Sequence, residues 1–147
     1  MSNLRELYQQ MIIDHGRHPR NFGELDGANS IKEGYNPLCG DKLTLYLKLE
    51  DNKIIDAFFK GEGCAISVAS ASLMTEALKG KTFDQARDVF EKFHLAVTKN
   101  QSTDELGKLS VLTGVAEFPA RVKCATLAWH TLIGALDEDS PETISTE

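Results

Sequence analysis

The sequence predicts an α+β domain in which a small antiparallel sheet of about three strands is flanked by helices. Leu43, Leu45, Leu47 and Leu49 alternate with Lys42, Thr44, Tyr46 and Lys48, the period of a half-buried strand. Asp51-Asn52 supplies turn chemistry, after which residues 54–60 can return as a second, antiparallel strand. Apolar residues at helical spacing occupy the chain on both sides of this hairpin. Strands grouped in one stretch with helices outside it are the order of an α+β fold.

The first helix places Leu4, Leu7, Tyr8, Met11 and Ile12 on one face, with Asn3 and Glu6 as a capping pair, and ends near Gly16. A loop at 15–23 (HGRHPRNFG) follows, in which Pro19 opposes helix continuation and Arg17 and Arg20 form a small basic cluster. Residues 29–35 add a third strand to the hairpin. A helix over 64–79 carries the small-residue face Ala65, Ala69 and Ser72, suited to close packing on the sheet, and Gly80 ends it. Residues 82–99 repeat the helical pattern, with a Thr82 and Gln85 capping pair and a stripe of Phe83, Ala86, Phe90, Phe93 and Val97. Ser102 and Glu105 cap a short helix through Leu109 and Leu112. The last helix follows Pro119 and is expected over about 124–136.

The 147 residues form one domain by length, with 1–136 folded and large enough to bury a core without a disulfide or metal staple. The segment 137–147 (DEDSPETISTE) holds five acids and no base, and is expected to be solvated and disordered. A net charge of -6 argues against a nucleic-acid partner. No apolar run is long enough for a membrane span, and the N-terminus lacks the layout of a signal peptide, so a cytoplasmic protein is expected. In a reducing compartment, three cysteines are ligands or reactive thiols before they are bridges.

Those three thiols, Cys39, Cys64 and Cys124, and Asp41 each lie where a loop gives way to a regular element, which suggests a four-ligand metal site. Gly40 lets the backbone bend so that Cys39 and Asp41 face one point. Cys64 follows Gly61-Glu62-Gly63 and begins a helix, and Cys124 is expected to begin the last one, where helix dipoles favour a thiolate. Arg121 and Lys123 add positive charge beside Cys124. Three thiolates and a carboxylate around a divalent ion carry a formal charge of about -2, which apolar burial resists, so the site is expected near the surface. A buried cysteine acting as a small hydrophobe is the commoner case for one thiol but not for a set at element boundaries. No C-x-x-C pair exists. His15, His18, His94 and His130 are expected to be ordinary, with His15 and His18 solvated, and Ser67, Ser70 and Ser72 to serve helix packing. Gly61-Glu62-Gly63 lacks the lysine-serine or lysine-threonine pair of a nucleotide site.

The stretches DHGRHPRNFG (14–23), NPLCGD (36–41), FKGEGCAISVAS (59–70) and RVKCATLAWHTL (121–132), in this order, resemble the IscU/SufU/NifU-N-terminal group of iron-sulfur assembly proteins. The resemblance covers most of the chain and implies a compact α+β fold with the motif cysteines at one exposed end. Within the group the chain looks like the SufU branch. Lys123 stands where scaffold-type members carry histidine. Phe118-Pro119-Ala120-Arg121-Val122 stands where they carry a chaperone-read leucine-proline-proline-valine-lysine segment, and the span from Gly80 to Cys124 resembles the SufU insertion.

The resemblance implies that Cys39, Asp41, Cys64 and Cys124 bind Zn²⁺ and that a pyridoxal-phosphate, SufS-like cysteine desulfurase docks at this end. The desulfurase then supplies a replacement ligand and frees Cys39 to accept persulfide sulfur, which passes to downstream iron-sulfur assembly proteins. The residues alone leave Cys39 and Cys124 open as acceptor. Arg121 is expected to act in docking or charge balance. The alternative is a scaffold assembling a [2Fe-2S] cluster, or holding iron, on the same ligands, against which the protonated Lys123 counts. An adaptor with a purely structural metal is disfavoured by the size of the core.

Overall fold

The computed structural model describes residues 2–37, 40–99, 104–136 and 143–145, with 2–5, 104–105, 116–117 and 143–145 described by their backbone alone. In chain order the elements are α1 (Ser2–Arg17), β1 (Ser30–Asn36), β2 (Asp41–Glu50), β3 (Lys53–Glu62), α2 (Ala65–Leu78), α3 (Phe83–Lys99), a 3-10 segment (Asp104–Glu117), α4 (Pro119–Leu136) and β4 (Thr143–Ser145). The sheet order is β3-β2-β1-β4.

The three antiparallel strands form as the alternation predicts. Asp51 and Asn52 both take positive φ, 52° and 62°, the conformation a two-residue hairpin requires. The pairing jumps from Lys48↔Asp56 to Leu49↔Ile54, so Ile55 is the extra residue of a bulge. This shift lets Ile54 and Ala57, three apart, both face inward while Ile55 is exposed. Leu43, Leu45 and Leu47 are buried, whereas Leu49, beyond the bulge, is half-buried.

The inward face of the sheet packs on α2 and α4. Gly34 of β1 sits where a Cβ would collide with Thr131 Oγ1 of α4, with Leu127 close behind. Trp129 of α4 is fully buried, stacks on Phe93 of α3 with centroids 4.7 Å apart, and donates Nε1–H to Ser70 Oγ at 3.1 Å. Burying the indole with its donor satisfied fixes α2, α3 and α4 about one point. At the start of α3 the predicted capping pair forms. Gln85 Oε1 accepts from Thr82 N, and Thr82 Oγ1 accepts from Gln85 N. The Asn3 side chain lies outside the described residues.

The structure corrects three expectations. The last helix begins at Pro119, five residues before Cys124, because proline's fixed φ suits the first helical position and Phe118 O accepts from Arg121 N and Val122 N. The helix expected through Leu112 is a longer 3-10 segment, kinked at Gly107 (φ 55°). There Ser110 and Thr113 hydroxyls donate to carbonyls three residues back, and Leu106, Leu109 and Leu112, three apart, are all buried. Ser102 lies outside the described residues. Finally, β4 pairs in parallel with β1 (Glu33↔Thr143 to Tyr35↔Ser145), so three residues of the segment expected to be disordered extend the sheet to four strands. The remainder of 137–147 lies outside the described residues.

The Gly34 approach yields a measurable consequence. Gly34→Ala should lower unfolding free energy by about 1–3 kcal/mol in urea titration, the usual cost of overpacking a closed contact. Gly114→Ala, where a Cβ meets nothing within 4 Å, should change it little.

Candidate metal centre

Asp41 opens β2 on the inward phase of the strand and is fully buried. Its Oδ1 accepts the backbone N–H of Cys64 at 2.9 Å, satisfying one of the donors left over where α2 begins. Gly63 makes this approach possible, because a Cβ there would run into the Asp41 carboxyl group. Cys64 is the N-cap of α2 with extended backbone (φ -70°, ψ 163°). Its sulfur makes no capping bond and lies 3.9 Å from Asp41 Oδ2.

Cys124, in the second turn of α4, completes the cluster. Its Sγ is buried, 3.6 Å from Ala120 O and 3.9 Å from Asn36 Nδ2. The helix-start argument for this thiol therefore does not hold. Burial against α2 and β1 places it instead. One ligand atom each from Asp41, Cys64 and Cys124 lie within 4.8 Å of one another. Zinc bonds of about 2.3 Å to sulfur and about 2.0–2.2 Å to oxygen put tetrahedral ligand atoms roughly 3.5–3.8 Å apart, so the three donors need only small movements to share an ion. Two soft sulfurs and a carboxylate suit zinc or iron better than magnesium or calcium.

Cys39 lies outside the described residues, but the loop that carries it is bracketed. Asn36 O accepts from Gly40 N at 2.9 Å, and Gly40 takes a positive φ of 72°, which its missing side chain permits. Of the three described donors, Asp41 and Cys124 are buried and Cys64 is partly exposed. The expectation of a site near the surface thus holds on the Cys64 side alone, where Pro37, Gly40, Gly63 and Ala65 are exposed. Arg121 is exposed and Lys123 half-buried at the start of α4.

Asn36 was not singled out in the sequence, yet it is a fully buried polar side chain beside a thiol. Its signal was the phase of β1: residues 31, 33 and 35 face out, so 34 and 36 face in. An asparagine on the inward phase must find hydrogen-bond partners.

His15 also departs from expectation, being 3% exposed rather than solvated. Its Nδ1 is 2.7 Å from Ser72 Oγ, which accepts Arg20 N–H at 2.8 Å, and its Nε2 faces Glu76 Oε1 at 3.8 Å. Asn21 Nδ2 donates to Thr75 Oγ1, and Asn21 O and Gly23 N bond the Phe59 backbone. The HGRHPRNFG loop is therefore a clamp fastening α1 to α2 and β3. Burial, then the Arg20 charge, hold the His15 pKa below its ordinary value. His18 is exposed, as expected. His94 and His130 pack together against Phe90, and burial with His94 nearby lowers the His130 pKa. Ser70 and Ser72 serve packing. A groove of about 760 Å³ on the open sheet face, lined by Phe22, Tyr35, Lys42, Thr44, Lys60 and Glu62 among others, runs beside the donors without containing them.

The thiols of Cys64 and Cys124 and the carboxyl group of Asp41 form a donor set that could hold a metal ion in a small α+β domain. The chain belongs to the NifU-like N-terminal domain family, the IscU/SufU group, whose pattern matches residues 7–125. It is 44% identical over 133 residues to the zinc-dependent sulfurtransferase SufU of Bacillus subtilis, covering 89% of this chain and 90% of that one. Over 138 residues it is 41% identical to the iron-sulfur cluster assembly scaffold protein IscU of Streptococcus pyogenes, covering 92% and 86%. A crystal structure of FiSufU, from the SUF system of Fervidobacterium islandicum AW-1, superposes with a TM-score of 0.83 at 36% identity, covering 90% and 98%.

Two outcomes follow from this geometry. Gly63→Ala should push the Asp41 carboxylate aside and weaken zinc binding about 10-fold, read by competition with a chromophoric chelator. For His15 and His130 the native pKa is depressed below 6.5, so the unfolded chain binds the extra proton. Their contribution is complete above about pH 6.5 and is lost as pH falls below it, with a slope of at most about 1.4 kcal/mol per pH unit per group. His15→Asn should flatten urea midpoints between pH 6.5 and 5 relative to the parent protein.

Proposed function

We propose that this protein is a zinc-dependent sulfurtransferase of iron-sulfur cluster assembly, acting in the cytoplasm on a PLP-dependent, SufS-like cysteine desulfurase. The observation that carries the reading is the convergence of Asp41, Cys64 and Cys124 at one end of the fold, in a chain 44% identical to a protein named for that activity. Cys39, Asp41, Cys64 and Cys124 hold the ion. Zinc bound there keeps thiolates deprotonated and restrained until a partner engages them.

Cys39 is the acceptor. Its thiolate attacks the outer sulfur of the desulfurase cysteine persulfide. The new sulfur–sulfur bond forms at Cys39 as the old one breaks, and the desulfurase cysteine leaves as thiolate. The exchange balances without external oxidant or reductant. The supporting features are the loop held between Asn36 and Gly40, the burial of Cys124, and Lys123, which cannot ligate while protonated. Exposed Arg121 contributes docking or charge balance, and downstream iron-sulfur assembly proteins take the sulfur. The scaffold relatives favour one rival, assembly of [2Fe-2S] on these residues.

Anaerobically purified protein should contain stoichiometric zinc and should stimulate desulfurase turnover. Iron and sulfide without stimulation would establish the scaffold instead. Cys39→Ala should abolish sulfur acceptance by intact mass, and persulfide appearing on Cys124 of that variant would refute the acceptor assignment. Asp41→Ala should alter metal exchange. Unchanged zinc affinity with unchanged sulfur acceptance would remove Asp41 from the ligand set.

A further inference from the structure

The two described thiols differ: Cys124 is buried and Cys64 is partly exposed, and Asn36 lies beside Cys124. It is the last residue of β1 and pairs in register with Asp41, the first residue of β2. Its side chain is fully buried, with Nδ2 3.9 Å from the Cys124 sulfur. Its carbonyl accepts Gly40 N–H, closing the loop that carries Cys39. One residue thus meets the Cys124 sulfur with its side chain and the Cys39 loop with its backbone. An amide N–H pointed at a sulfur supplies positive charge to the lone pairs of a thiolate ligand, which strengthens its hold in the metal site and makes it a poorer nucleophile.

From this placement we infer that Asn36 is a positioning residue that anchors Cys124 as a permanent metal ligand and leaves sulfur acceptance to Cys39. The inference rests on the sulfurtransferase reading for the role of Cys39. The anchoring of Cys124 stands on the geometry alone. Cys64, partly exposed and with the Asp41 carboxyl group rather than an amide described beside its sulfur, is the internal reference.

The test uses full-length protein with Asn36→Leu, which keeps the branched shape and heavy-atom count of the side chain but removes the amide, and Asn36→Ser, a smaller substitution should the first fail to fold. Circular dichroism establishes folding. In either folded variant zinc affinity should fall by roughly 10–100-fold in chelator competition. The thiolate-to-metal charge-transfer band of the Co²⁺-loaded protein should shift, and in the metal-free protein iodoacetamide should alkylate Cys124 faster while Cys64 keeps its parental rate, by peptide mass mapping. Affinity within about twofold of the parent, an unshifted cobalt band, or equal acceleration at Cys64 and Cys124 would overturn the inference. None of these readouts uses the desulfurase. With desulfurase added, the variants should divert part of the persulfide from Cys39 to Cys124. Persulfide on Cys124 of the unsubstituted protein would defeat the sulfurtransferase assignment of Cys39 while leaving the metal readouts of Asn36 to stand or fall separately.

Discussion

One hydrogen bond ties the start of β2 to the start of α2: Asp41 Oδ1 accepts the backbone N–H of Cys64. It links the first residue of β2 to the N-cap of α2, twenty-three positions apart. A buried carboxylate needs such a partner, since burial without one costs several kcal/mol. The start of a helix, with its unpaired N–H groups and positive dipole end, is a place where an acid can be buried. The same contact orients the second carboxylate oxygen toward the Cys64 sulfur. The ends of β2 and α2 therefore meet at the donor set, and Gly63 supplies the space for them to do so.

The rest of the fold holds that junction steady. The bulge at Ile55 keeps β3 in phase with the core from Ala57 onward, so that the strand reaches Glu62 and Gly63 on course. The loop from His15 to Gly23 ties α2 to α1 and to the Phe59 backbone. Trp129, bonded to Ser70, locks α4 against α2, and α4 in turn brings the Cys124 sulfur within 4.8 Å of that of Cys64.

Much of this was legible in the sequence because it is written in local patterns. The leucine alternation of β2, the Asp51-Asn52 turn and the Thr82 and Gln85 cap are short-range rules that tertiary context did not override. Asp41 and Cys64 were legible because Gly40 and Gly63 mark the element boundaries where they lie, whereas Cys124 stands inside α4, away from the boundary expected for it. What was hidden depended on contacts distant along the chain. His15 meets Ser72 across 57 positions, and no neighbouring residue announces that partner. The start of α4 was misplaced because Pro119 was read as a break before the helix rather than as its first residue. The β4 pairing was invisible because an acidic, polar segment has no strand pattern of its own and takes its conformation from the edge of β1.

That last pairing also gives the tail a direction. Because β4 runs parallel to β1, its backbone advances from the level of Glu33 to that of Tyr35, one residue short of Asn36. A fluorophore or affinity handle fused after this strand would sit near the Asn36 end of β1, close to Asp41, whereas one placed ahead of α1 is attached to a different element of the fold.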